Sequence, residues 1–197
     1  MRWIYGTLAA VAVLLTLYFG SAYAALTDLV TAARHADGAR LLRRTDGPRL
    51  KRSVAGQILR TYLDRIGETR RPTAAEQVIA NAVAATLADA LAVRVLTTDG
   101  LAQLLHEGRV EGVPQIPTLS GMPRLTDLDL RNALSLGSRL HLITPVEMSI
   151  RLGNMQNRDD TTAIRLHLDS SGWKLAGIEL PPRKLRDLAA RLPVRRP

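Results

Sequence analysis

The chain contains no cysteine. That absence removes disulfide frameworks, thiol nucleophiles, thiolate metal sites and the lipid-bearing amino-terminal cysteine of a lipoprotein. Aromatic residues make up only 4% of the sequence, so there is little to stack against bases; with no nucleic-acid-binding motif in the chain, nucleic acid is not expected as a partner. The four histidines, His35, His106, His141 and His167, stand apart, and His106-Glu107 lacks the second histidine of a zinc-protease helix. Nucleophile elbow, phosphate-binding loop and dinucleotide fingerprint are all missing. Asp159-Asp160 falls in a polar turn, where paired carboxylates more often solvate than catalyse. The chain is therefore not expected to be an enzyme, and no cofactor or metal is expected.

What the sequence does have is one long apolar run. From Trp3 through Thr27 no residue is charged. At about 1.5 Å per residue, a helix of that length crosses a hydrocarbon core about 30 Å thick. Two readings compete. Arg2, the stretch Ile4–Phe19 and Ala22-Tyr23-Ala24 ahead of Ala25 make an acceptable signal peptide with cleavage after Ala24. The length of the run, with Trp3, Tyr5 and Tyr18 near its ends as interfacial aromatics, favours an uncleaved single-pass anchor. Arg2 on one side and Arg34 and Arg40 on the other orient it poorly. The usual arrangement, a cytoplasmic start and an exported remainder, places residues 28–197 in the periplasm of a bacterial inner-membrane protein.

After the anchor (1–27) the chain is long enough for one domain. Leu26, Leu29, Val30 and Ala33 have helical spacing that either continues the anchor or follows a bend at Gly20-Ser21. A short turn at Ala39–Leu42 follows Asp37-Gly38. Asp46-Gly47-Pro48 then opens a helix in which Leu50, Val54, Ile58, Tyr62 and Ile66 recur every four residues. Arg70-Arg71-Pro72 interrupts the pattern, and Thr73-Ala74-Ala75-Glu76 is a capping box. The helix it opens reaches about Val93, with Val78, Ile79, Ala82, Val83, Leu87, Ala90 and Leu91 expected on its buried side. Leu101–Glu107 reads as a short helix and 108–125 as a glycine- and proline-punctuated loop.

The last third alternates with period two. Val146, Met148, Ile150 and Leu152 form one half-buried strand; Ile164, Leu166 and Leu168 form another. Asp169-Ser170-Ser171-Gly172 turns into Trp173–Leu180, where Gly177 marks a bulge. Ser138–Thr144 is a candidate fourth strand. Glu147, Arg151, Arg165 and His167 share one sheet face, as cross-strand charge pairs do on a wet face. Pro181-Pro182 ends the sheet ahead of a short basic helix, 183–192. A helical half (28–107) followed by antiparallel strands (138–181) defines an α+β fold, with a three- to four-stranded sheet behind an amino-terminal transmembrane helix. Trp173 is expected to be buried and structural.

The net charge of +9 is local, because 40–52 and 183–196 together carry +10. Arg40, Arg43, Arg44, Arg49, Lys51, Arg52, Arg183, Lys184 and Arg186 are candidate contacts to an anionic surface, each worth about 1 kcal/mol near such a surface. Against that reading, charge runs commonly form no more than a solvated face.

The anchor followed by Ser21-Ala22-Tyr23-Ala24-Ala25-Leu26, then Ala36-Asp37, Thr45-Asp46 and Arg49-Leu50-Lys51-Arg52-Ser53, resembles the amino-terminal pattern of the bacterial domain-of-unknown-function family 2939. Ser171-Gly172-Trp173-Lys174-Leu175, ending in Leu180-Pro181, resembles that family's closing hairpin. The resemblance implies a membrane-tethered protein of a Gram-negative bacterium and carries no catalytic residues across. Three functions stay open. The leading one is a non-catalytic module that binds a partner protein or an acidic component of the cell envelope; the others are a periplasmic carrier of a lipid or small ligand, and an enzyme with an unrecognised site. Oligomeric state is not legible.

Overall fold

One helix, α1 (Arg2–Arg34), belongs to two environments. From Tyr5 to Leu17 every side chain is exposed, whereas Ala22, Ala25, Leu26, Leu29, Val30 and Ala33 are buried at helical spacing against the rest of the protein. The helix runs on through Gly20-Ser21, so the boundary expected at residue 27 lies inside it and the core begins at Ala22. α1 ends with Ala36 in the left-handed region (φ 50°), where the Asp37 N–H donates to Ala32 O (2.8 Å) and the Ala36 N–H to Ala33 O (3.1 Å).

The computed structural model describes residues 2–67, 73–112, 118–153 and 156–191. After α1 come α2 (Gly38–Arg43), α3 (Gly47–Gly67), α4 (Ala74–Val95) and α5 (Thr98–Ala102), which continues as a wide helical turn, Gln103–Glu107. α6 (Ala133–Arg139) leads into an antiparallel meander of β1 (Leu140–Thr144), β2 (Glu147–Leu152), β3 (Thr162–Asp169) and β4 (Gly172–Glu179), in that spatial order, and α7 (Pro182–Arg191) follows. The fold is α+β, as the change of period indicates. Arg70-Arg71-Pro72, Leu192 and Asn154 lie outside the described residues, as do 113–117 within the expected loop. The remainder of that loop is tied by a bridge between Val110 and Leu119 and runs into a helical turn, Leu125–Asp127, at its end.

Two edges of the sheet are treated differently. Along β4, the Leu175 N–H donates to Arg44 O and the Asp46 N–H to Leu175 O, both at 2.8 Å. Further on, Gln57 of α3, nearly inaccessible to solvent, donates from Nε2 to Ile178 O (2.8 Å) and accepts the Leu180 N–H at Oε1 (2.8 Å). A side chain thus stands in for a neighbouring strand. α3 also comes close to the sheet at Gly177, where a Cβ would lie 2.8 Å from Ser53 Oγ. The register slips by one residue between Arg165 and Leu166, so β4 bulges at Ala176-Gly177 as the parity change predicts.

Trp173 is buried. Its indole N–H donates to Ser21 Oγ (3.1 Å) and its ring meets Tyr18 edge-on, with centroids 5.5 Å apart. α4 departs from its reading. The Thr73–Glu76 capping box forms, but Val78 and Ile79 are 68% and 53% exposed, Ala82 is exposed too, and the helix buries Ala80, Ala84, Leu87, Ala88 and Leu91. The helix is apolar nearly all round, so its spacing does not select a face; packing against α3 selects it instead. α6 was not expected, and strand β1 starts at Leu140 rather than Ser138.

Two substitutions test this packing. Trp173→Ala is expected to cost about 3–5 kcal/mol and lower the thermal midpoint; an unchanged midpoint contradicts the burial described. Gln57→Leu leaves the Ile178 carbonyl and Leu180 N–H without partners, at about 1–3 kcal/mol each. A reduced urea midpoint with a native-like circular dichroism spectrum is the expected result.

Candidate functional site: an arginine cleft between α3 and the sheet

The nine candidate basic residues do not act as one surface. Arg40 and Arg44 both bond Asp28 of α1, Arg44 through Nε at 2.6 Å. Lys51 pairs with Asp89, joining α3 to α4, and Arg186 of α7 bonds Asp159 at 2.9 Å. Arg43 and Arg183 are exposed on α2 and α7, and Lys184 is half-buried. These side chains mainly fasten helices to one another or face solvent. Arg49 and Arg52 are different, because both face a cleft.

On the outer face of the sheet, Glu147 lies opposite His167 and His167 opposite Lys174, while Ser149 lies opposite Arg165 and Arg165 opposite Gly177. Glu147, Arg165 and His167 therefore do share a face with Arg151. Over this face α3 presents Arg49, Arg52, Gly56 and Arg60, and the space between is an open cleft of about 280 Å³ lined by these residues with Ser53, Glu147 and Arg165. Gly177 permits the approach, as a larger residue there would push α3 and Ser53 away.

Four guanidinium groups thus face one carboxylate, Glu147. Arg49 is steadied by Asp46 (Nε to Oδ2, 3.1 Å) and Arg165 by Glu179 (Nε to Oε1, 2.8 Å). Arg52 Nε donates to Pro48 O at 3.4 Å, and among the described residues neither Arg52 nor Arg60 has a carboxylate within ion-pairing distance. His167 Nδ1, buried and without a hydrogen bond, sits 3.6 Å from Glu147 Oε1. At the end of the same sheet the Asp169 carboxyl is held below the usual carboxylate range, first by the Ser171 hydroxyl, then by the Ser171 N–H and by Lys174. Guanidinium groups stay protonated and present forked donors, so these four side chains can hold a carboxylate or phosphate but do not themselves transfer a proton.

Arg60 and Arg165 were not among the anionic-contact candidates. The signal was present on α3, since Arg49, Arg52, Gly56 and Arg60 recur at the three- and four-residue spacing of one helix face. Arg165 was visible only as a sheet-face charge. A second, small apolar cleft of about 40 Å³ lies between α3, α4 and the far end of β4, lined by Leu50, Val54, Leu91, Val95, Leu104 and Ile178 among others. Among the described residues no three His, Asp or Glu side chains are grouped to hold a metal ion. His106 and His35 each hydrogen-bond helix carbonyls, Ala33 O at 2.9 Å and Thr31 O at 2.8 Å.

Among the described residues two helices, α1 and α4, are long and apolar enough to cross a membrane. α4 buries Leu87 and Leu91 in the core and ties Asp89 to Lys51, whereas the first half of α1 touches nothing over Tyr5–Leu17 that would hide it. The chain is thus an α+β domain carried on an apolar amino-terminal helix. Residues 11–104 match the model of a family described as Protein of unknown function (DUF2939), the family its amino-terminal pattern resembles. The match runs from within α1 to the turn after α5, so the closing hairpin at Ser171–Pro181 lies outside it. No curated protein and no solved structure matches the chain.

If the cleft holds anions, Arg52→Ala with Arg60→Ala is expected to weaken binding of inorganic pyrophosphate about tenfold or more by calorimetry, given about 1.5–3 kcal/mol for each charged hydrogen bond lost. Arg43→Ala with Arg183→Ala, made on exposed residues outside the cleft, is expected to leave it unchanged.

Proposed function

We propose that this is a single-pass protein of the bacterial inner membrane whose domain faces the periplasm. It acts without catalysis, binding an acidic partner protein or envelope component through the cleft of Arg49, Arg52, Arg60 and Arg165. The observation that carries the reading is α1. Its bare apolar half continues without a break into the core, so the segment that would enter the bilayer also holds the domain together.

Removal after Ala24 fits this packing badly. Cleavage there discards Tyr18 and Ser21, the partners of Trp173, together with buried Ala22, and it opens a helix end beside buried Ala25 and Leu26. A binding role rather than turnover is favoured by the chemistry of the lining, which is dominated by groups that neither accept nor release protons. A second reading, a carrier of a lipid or other apolar ligand, rests on the apolar lining between α3 and α4, a cleft of about 40 Å³ that has to widen before it takes an acyl chain. Native mass spectrometry of protein taken from membranes distinguishes the two, since a carrier brings a lipid with it.

Intact mass of untagged protein from separated membrane and soluble fractions tests the tether. The expected result is the uncleaved chain, in membranes only, with its domain digested by protease added to spheroplasts. A chain beginning at Ala25 in the periplasmic fraction contradicts the tether, and protection from the external protease contradicts the orientation.

A further inference from the structure

The bare part of α1 is short for the work proposed for it. From Tyr5 to Leu17 the helix rises about 20 Å at 1.5 Å per residue, against a hydrocarbon core about 30 Å thick. A span shorter than the core draws flanking parts of the protein toward the lipid or thins the bilayer. The parts flanking Tyr18 are the turns at one end of the sheet.

Both hairpin turns reach α1 where its bare half begins. The Tyr18 hydroxyl donates to Pro145 O (2.8 Å) in the β1–β2 turn, and Trp173, just after the β3–β4 turn, donates to Ser21 Oγ. The Leu168 N–H donates to Val146 O (2.8 Å), binding the two turns together. Around Pro145 the surface is apolar, with Leu142 54%, Ile143 49% and Val146 44% exposed. Leu142 pairs with Met148 on the inner face of the sheet, so strand β1 is apolar on that face and, at Ile143, on the other. A half-buried edge strand needs an apolar residue on one face only. Phe19, 49% exposed, and Tyr23, 48% exposed, continue the patch along α1. Aromatic residues of this kind settle at the boundary between headgroups and acyl chains.

We propose that the β1–β2 turn, with Ile143, Pro145 and Val146, is a second membrane contact that enters the interfacial layer of the same bilayer beside α1. This rests on the tether reading. Two contacts at one end of the domain fix its tilt, so the arginine cleft keeps a set height and direction above the lipid instead of swinging on a single helix.

The absence of cysteine makes the test clean, since each introduced thiol is unique. Leu14→Cys, Ile143→Cys and Asp99→Cys are labelled with a small fluorophore in the full chain. Each is reconstituted in nanodiscs of phosphatidylethanolamine and phosphatidylglycerol with brominated acyl chains. Residue 99 lies at the opposite end of α1, where Gly38 packs on Thr98. All three positions are exposed, so folding is not at stake. Quenching at residue 143 at least twice that at residue 99, with residue 14 quenched most, is the expected result. Quenching at 14 with 143 equal to 99 overturns the second contact and leaves the tether standing, whereas no quenching at 14 removes both. A residue 143 unquenched in pure lipid but crosslinked to a protein in native membranes overturns it in favour of a protein partner.

Discussion

Trp173 reaches from the start of β4 to α1, placing its N–H on Ser21 and its ring against Tyr18. This contact joins the sheet to the helix at the level where the helix stops being bare. Below it, Leu26, Leu29 and Val30 are fully enclosed, each such side chain stabilising the core by about 1.5–3 kcal/mol. Above it, the same helix shows apolar side chains on all sides, which water does not favour and a bilayer does. On the tether proposed above, the helix satisfies two solvents with one unbroken hydrogen-bonded backbone. That continuity sets the distance and angle at which everything else is held.

The charges follow from the same constraint. Asp28 faces out of the buried half of α1 and is met by Arg40 and Arg44, which pins α2 and the start of α3 to the helix. With the chain thus fixed, residues 44–46 close the edge of β4 and α3 runs alongside it, held by Gln57. Asp28 is only 13% accessible while its arginine partners are 40–44% accessible, so these pairs are half-exposed. Their effect is positional, because they put the arginine face of α3 over Arg165. The basic segment is thus divided between residues that fasten the domain and residues that line its cleft.

Much of the fold was legible where local chemistry and burial agreed. The four-residue spacing of α3, the capping box of α4, the alternation of β2 and β3, and the bulge at Gly177 all came from the order of residues alone. The buried face of α4 did not, since a helix of alanine and valine on every side carries no directional pattern and its neighbour decides. Gln57 was hidden for a related reason: a polar residue on a helix reads as solvent-facing until the strand edge it completes is known. Of the cleft, the α3 arginines were legible as a charged segment. Their convergence with Arg165 depends on contacts more than a hundred residues apart.

The most direct test of the account is hydrogen exchange along α1 in the full chain, reconstituted in lipid nanodiscs. One helix shared between bilayer and core predicts slow exchange without interruption from Tyr5 to Arg34, with Gly20–Ala24 as protected as the segments on either side. Rapid exchange confined to Gly20–Ala24 would mean a hinge between an anchor and a separately folded domain, and the shared helix would have to be abandoned.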